Sequence, residues 1–237
     1  MQKTLISIIG STGIGKTKLA IEMAKHIGTE IISCDSRQFF KEMKIGTATP
    51  TDEELAQAKH HFIGHLSVQD YYSIGQYEED ALEKIEEIFE KNDFVVLVGG
   101  SMMYEKAVVE GLNDLPEANA ENQEKLQKIL DEEGLEKLQE ILKNLDEEYY
   151  NVVHKENPRR LLRAIDVIWQ TGRKYSEIIA EPKHKRDFKV IRIGITAPRE
   201  IMYERINLRV DKMLEKGLID EVKSLTKYQN LVPLQTV

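Results

Sequence analysis

The stretch Ile6-Ser7-Ile8-Ile9-Gly10-Ser11-Thr12-Gly13-Ile14-Gly15-Lys16-Thr17 decides how the rest of the chain is read. An apolar run rich in β-branched residues ends at Gly10. After the glycines, Leu19, Ala20, Met23 and Ala24 recur at the spacing of one helix face. Strand, Gly-rich turn and helix thus follow one another, and Gly10 with Gly15-Lys16-Thr17 satisfies the P-loop pattern in the context that gives it meaning. The turn is expected to aim successive backbone N–H groups at phosphate oxygens from a helix N-terminus. Lys16 would add positive charge, and the Thr17 hydroxyl could ligate Mg²⁺. Such a loop binds a phosphate or diphosphate, and what is done with that group must be read elsewhere in the chain.

Composition bounds the answer. The 237 residues are 41% hydrophobic and 31% charged, ordinary for a globular protein with a core of useful size. The single cysteine, Cys34, excludes an internal disulfide and fits a reducing cytoplasm. No apolar run approaches membrane-spanning length, so no membrane association is expected. The net charge of −8 argues mildly against nucleic acid as a partner, unless the charges are segregated along the chain.

Beyond the P-loop, Glu30-Ile31-Ile32-Ser33-Cys34 reads as a short buried strand, with Asp35-Ser36-Arg37-Gln38 where the strand meets its loop. Ligands of open α/β sheets bind outside the carboxyl ends of the strands, which puts Asp35 beside the P-loop. Residues 41–75 look loop-rich and carry His60, His61 and His65. No cysteine or carboxylate completes a zinc-type ligand set there, so these histidines read as solvated or structural. A helix is predicted from Gly75 to Glu90, with a stripe of Tyr77, Ala81, Leu82, Ile85, Ile88 and Phe89.

Phe94-Val95-Val96-Leu97-Val98 is the clearest buried strand, and it is followed by Gly99-Gly100-Ser101. P-loop NTPases usually hold Mg²⁺ through an acid at the end of such a strand. None is present, which points to use of a diphosphate other than nucleotide hydrolysis. From 115 to 150 a helical texture carries eleven acids against four bases; from 151 to 192 there are eleven Lys/Arg against five Asp/Glu. Within the basic stretch, Asn157-Pro158-Arg159-Arg160-Leu161-Leu162-Arg163 predicts a helix start with Pro at a first position. Arginines crowded where the helix dipole disfavours cations suggest an external anion. Strand texture returns at Val190–Ile195, and a long helix follows from Arg199 to about Leu225, interrupted near Gly217. The expected fold is α/β: a P-loop NTPase-like core, 1–114 and 190–237, with a parallel sheet flanked by helices, and an inserted all-helical subdomain, 115–189.

Taken in order, Gly10–Thr17, Asp35-Ser36-Arg37-Gln38, Gly46-Thr47-Ala48, Val98-Gly99-Gly100-Ser101-Met102-Met103-Tyr104, Asn157–Ala164 and Glu204–Val222 resemble the tRNA dimethylallyltransferase family over essentially the whole chain. The resemblance implies transfer of a dimethylallyl group from dimethylallyl diphosphate to the exocyclic amine of the adenine 3′ to the anticodon. It implies Asp35 as general base, with Thr12 and Ser101 completing the catalytic set. It places diphosphate on Gly10, Ser11, Thr12, Gly13, Ile14, Gly15, Lys16, Thr17 and Arg209, with Mg²⁺ as cofactor at Thr17. It places the tRNA anticodon stem-loop on Asp35, Ser36, Arg37, Gln38, Ser101, Gln123, Arg159, Arg160, Leu161, Leu162 and Arg163, with 115–189 gripping the stem-loop. A cytoplasmic monomer is expected.

The chain departs from the family at Ser11, Ser101 and Met103, where Pro, Thr and Leu are common; no functional group is removed. The family pattern also continues past Val237 into basic helices that clasp the tRNA, so the sequence reads as truncated, with tRNA affinity and activity in question. Two alternatives stay open. One is an ATP-using small-molecule or nucleoside kinase, disfavoured by the missing strand-end acid. The other is an adenylate prenyltransferase, which would not need the helical insertion.

Overall fold

The structure, a computed structural model, describes residues 2–235. Met1, Thr236 and Val237 lie outside the described residues. The chain divides into two compact units: residues through Gly111 with those from Lys185 on, and Leu112–His184 between them. Residues 112–114 therefore belong with the helices and 185–189 with the core.

The first unit contains β1 (Thr4–Gly10), α1 (Lys16–Ile27), β2 (Ile31–Ser33), a single turn α2 (Asp52–Leu55), β3 (His60–His61), α3 (Ile74–Lys91), β4 (Phe94–Val98) and α4 (Met102–Glu110). The second contains α5 (Ala120–Glu133), α6 (Leu135–Leu145), α7 (Glu147–Val152), α8 (Pro158–Thr171) and α9 (Tyr175–Ala180). The chain then completes the first unit with β5 (Lys189–Ile195), α10 (Arg199–Glu215) and α11 (Leu218–Leu225).

All strand pairings are parallel, and the order is β3-β2-β4-β1-β5. A parallel sheet is buried on both faces, and β4 shows this through its period-two alternation. Val96 and Val98 pack toward α1 with Ile8, Ala20, Ile21, Ala24 and Ile31. Val95 and Leu97 pack on the other face with Tyr77, Ala81, Ile85 and Val108 from α3 and α4. Ser73 caps α3 by accepting from Gln76 N at 3.1 Å, and the buried stripe Tyr77, Ala81, Ile85, Ile88 and Phe89 follows at helical spacing. Sequence reading missed β3: its two residues pair with Ile31 and Ile32, a pairing too short to leave a periodic signal.

Two strands are tied to α4 by one buried acid. Glu105 on α4 is 3% exposed and accepts from Ser7 Oγ of β1 at 2.7 Å and from Arg192 Nε of β5 at 2.9 Å. A buried carboxylate needs such partners to offset the water it loses, and this one pins α4 across two strands.

The helical unit is built on Leu126, Leu138, Leu142, Leu161, Ala164 and Ile165. Its α8 starts as the sequence predicts: Asn157 Oδ1 accepts from Arg160 N at 3.3 Å, Pro158 occupies the first helical position, and Gly172 ends the helix.

Candidate active site

The carboxyl ends of β1, β2 and β4 meet at one cleft of about 250 Å³. From β1 comes the P-loop. Gly15 sits at the N-cap of α1 with φ 105°, a left-handed conformation that a residue with Cβ adopts only under strain. Thr12, Gly13, Gly15, Lys16 and Thr17 line the cleft. Lys16 Nζ donates to the carbonyls of Gly10 and Ser11 at 2.9 and 3.0 Å, so the ammonium spans the loop. Burial pulls the Lys16 pKa below the ordinary lysine value, Asp35 opposes that shift, and Arg209 adds to it.

From β2 comes Asp35. Its Oδ1 accepts from Arg37 N at 3.1 Å and its main-chain carbonyl accepts from Gln38 N at 2.9 Å, a tight turn that fixes the carboxylate. β4 contributes backbone where many P-loop proteins carry an acid. A Cβ on Gly100 would stand 2.7 Å from Asp35 Oδ2, and one on Gly99 would stand 2.4 Å from the Cys34 carbonyl carbon. The glycine pair is the condition for Asp35 to reach the cleft. Ser101 then donates or accepts with Ser36: its Oγ lies 3.0 Å from Ser36 N and 2.9 Å from Ser36 Oγ. Beneath this turn Phe39 contacts the rings of His65, Tyr72, Tyr77 and Tyr104, and Tyr77 Oη donates to Ser33 O at 2.9 Å. The turn thus rests on an aromatic platform.

The far wall comes from α10 and the 45–48 loop. Arg205 donates to Ile14 O at 3.1 Å, seating α10 on the P-loop, and Arg209 donates to Thr47 O at 3.4 Å. Gln38 Nε2 donates to the carbonyls of Thr47 and Ala48 at 3.2 and 3.1 Å. Asp35, Gln38, Lys16 and Arg209 therefore share one cleft.

Other expected residues lie differently. Ser36, Arg37 and Ser101 do not line the cleft, nor do Gly10, Ser11 and Ile14. Arg37 Nη1 donates to Pro233 O at 2.6 Å. In the helical unit Arg159 and Arg160 are exposed and Gln123 is half-buried. Leu161 and Leu162, at 0% and 9% exposure, pack their side chains in the helical core. Arg163 is tied to Asp166 Oδ2 at 3.3 Å and to the Pro116 carbonyl. Arg159 and Arg160 thus stay exposed, while Arg163 is engaged within its own unit.

Sequence reading did not assign several site residues. His60 lines the cleft with Nδ1 2.8 Å from Ala58 O, and its Nε2 is buried without a partner. Burial pulls its pKa below the ordinary histidine value. His61 Nε2 meets Glu30 at 2.5 Å, and His65 packs among rings, so the three neighbours have three separate roles. Gly99-Gly100 was the available signal for the close approach, because paired glycines after a buried strand often mark one.

The chain resembles known proteins over this whole frame. A family model described as IPP transferase matches residues 38–237. A tRNA dimethylallyltransferase of Christiangramia forsetii is 50% identical over 237 residues, all of this chain and 78% of that protein. That of Flavobacterium psychrophilum is 47% identical over 98% of this chain and 78% of its own length. Among solved structures, a tRNA isopentenylpyrophosphate transferase of Bacillus halodurans has TM-score 0.65 and 32% identity, covering 99% of this chain and 74% of that one. A eukaryotic dimethylallyltransferase acting on tRNA has TM-score 0.81 at 28% identity, covering 96% of this chain and 57% of that one. In sequence and in fold, the chain belongs to the tRNA dimethylallyltransferase family.

Proposed function

We propose that the chain transfers a dimethylallyl group from dimethylallyl diphosphate to the exocyclic amine of the adenine 3′ to the anticodon in tRNA, giving isopentenyladenosine. One observation carries this reading: the Asp35 carboxylate shares a cleft with the P-loop, Lys16 and Arg209, while β4 offers Gly99-Gly100 in place of an acid. A carboxylate facing a cationic diphosphate seat suits attack at carbon better than attack at phosphorus.

In the proposed reaction the allylic C–O bond breaks and its electron pair leaves with the diphosphate. The adenine nitrogen forms the new C–N bond and gives its proton to Asp35. The amine is a weak nucleophile because its lone pair is delocalised into the ring, so a positioned base contributes on the order of 10²–10⁴-fold. Lys16, Arg209 and the N–H groups of residues 12–17 stabilise the charge that grows on the leaving group. Thr12 touches the cleft and joins this set, whereas Ser101 acts through Ser36 by holding the Asp35 turn.

The donors in the cleft suit Mg²⁺. Thr17 offers one hard oxygen, and among the described residues no group of three or more His, Cys, Asp or Glu forms a protein cage. Mg²⁺ characteristically takes one or two protein oxygens and completes its shell with substrate phosphates and water. Bound there, it would neutralise diphosphate charge.

The target base must leave its stack to reach Asp35 inside the cleft. Asp35–Gln38 meet it in this reading, Gln123, Arg159 and Arg160 touch the anticodon arm, and Arg163 contributes by holding the start of α8. The relatives' substrate is named as tRNA, and we carry it to this chain. No helix among the described residues is long and apolar enough to cross a membrane. A cytoplasmic, monomeric enzyme is part of the same proposal.

The test is transfer of labelled dimethylallyl groups to unmodified tRNA, run beside labelled ATP with nucleoside acceptors. Prenylated tRNA without phosphoryl transfer is the expected result; phosphoryl transfer alone overturns the reading, and prenylation of free adenylate in preference to tRNA overturns the substrate.

A further inference from the structure

We propose that Glu221, on α11 and outside the cleft, is a positioning residue that sets Arg209 and Gln38 by clamping the 45–48 loop between them. The inference rests on the reading above, in which Arg209 holds diphosphate and Gln38 meets the target nucleotide.

The geometry is a relay of three layers. Glu221 Oε2 accepts from Ile45 N at 2.7 Å and its Oε1 accepts from Gly46 N at 2.8 Å. Two consecutive backbone donors on two oxygens of one carboxylate leave the loop no freedom to slide along α11. The loop is itself closed by Ala48 N to Ile45 O and Thr49 N to Lys44 O, each 3.0 Å, and Ala48 is held at φ 47°. A non-glycine residue in that region is strained and persists only where its surroundings dictate it. On the inner side, the carbonyls of Thr47 and Ala48 take Gln38 Nε2, and Thr47 O takes Arg209 Nη2.

The clamp and the cation belong to one elbow. Arg209 lies on α10 and Glu221 on α11, joined through Gly217 at φ 93°. The elbow therefore grips the loop at two points, one inside the cleft and one outside. If the outer grip fails, the Thr47 carbonyl moves and both inner side chains lose their reference. The fit is close: a Cβ on Gly46 would stand 3.3 Å from Leu218 Cδ1 and 3.4 Å from Glu221 Oε1.

Three variants test it on the full chain: Glu221→Ala, Glu221→Gln, which keeps one acceptor but turns an N–H toward an N–H, and Gly46→Ala, which pushes α11 from the other side. Arg209→Ala is the control. Calorimetry with inorganic diphosphate, KM for the allyl donor and thermal midpoint are read for each. Glu221→Ala is expected to weaken diphosphate binding and raise donor KM by about tenfold, the loss of a charge-assisted contact. Glu221→Gln and Gly46→Ala should show the same change in smaller measure. In the Arg209→Ala background the Glu221→Ala effect on diphosphate should vanish, which a merely structural role would not produce. Unchanged diphosphate binding in Glu221→Gln and Gly46→Ala, with Arg209→Ala weakened, overturns the proposal. Unchanged binding in Arg209→Ala instead overturns the underlying diphosphate reading.

Discussion

Buried acids are paired within the fold in both units, as Glu105 is in the core, and Asp35 of the core unit is the contrast. In the helical unit the buried acids are fully used within the unit. Asp166 is 0% exposed and accepts from Asn122 Nδ2, Gln170 Nε2 and Arg163 Nη1 at 3.0, 3.0 and 3.3 Å. Asp146 is 1% exposed and accepts from Tyr149 N, Ser176 N and Ser176 Oγ at 3.0, 2.7 and 2.9 Å. In the core unit Asp35 has one backbone donor and opens onto a cleft shared with Lys16 and Arg209. A buried acid satisfied on every side holds a fold, whereas a half-buried acid with lone pairs facing a cleft is available to a substrate. The comparison separates architecture from chemistry without reference to any relative.

The difference should be measurable from both sides. Asp35→Asn is expected to lower kcat by ~10²–10⁴-fold with diphosphate binding and thermal midpoint nearly unchanged; a wild-type rate would remove the base assignment. Gly100→Ala should reproduce much of that loss, about 10²-fold, because its Cβ displaces the Asp35 carboxylate; unaltered turnover would mean that the carboxylate position is not critical. Asp166→Ala should do the reverse. It removes one acceptor from each of Arg163, Asn122 and Gln170 and costs ~2–3 kcal/mol of stability in chemical denaturation, with diphosphate binding by the core unchanged.

Two smaller effects sharpen the contrast. Arg160→Ala should weaken tRNA binding a few-fold and lower the log K against log salt slope by about 1, since one phosphate contact is lost. The same slope in the variant would take α8 out of the interface. The last prediction concerns pH. Burial alone would raise the Asp146 pKa, but hydrogen bonds from Ser176 and Tyr149 prevail and hold it below the ordinary value of 3.8. A lowered folded-state pKa adds stability above the unfolded value and loses it as pH falls through the folded value. The stability gap between wild type and Asp146→Asn should therefore be full at neutral pH and narrow only below about pH 4; a gap independent of pH would contradict the assignment.

Legibility followed the range of the signal. The P-loop, the β4 run, the α3 stripe and the Asn157-Pro158 start of α8 are local patterns, and each element forms within a residue or two of its expected place. β3 escaped because a two-residue parallel pairing depends wholly on its neighbour. The burial of Leu161 and Leu162 was not legible because a motif names a segment and does not say which of its faces is buried. The ties of Arg163 to Asp166 and the Pro116 carbonyl were not legible because they can be assigned only once α8 is packed.

By itself the sequence determined the main strands and helices of the core, the Gly-rich loop after β1, the absence of an acid after β4 and the candidacy of Asp35, because each rests on residue type and short spacing. Only the tertiary structure decided that Gly99 and Gly100 make room for Asp35, that His60 lines the same cleft, and that Glu221 reaches the 45–48 loop from outside. These contacts join residues tens to more than a hundred positions apart. Their cause is the parallel sheet, which brings strand ends together and leaves no trace of that meeting in the chain order.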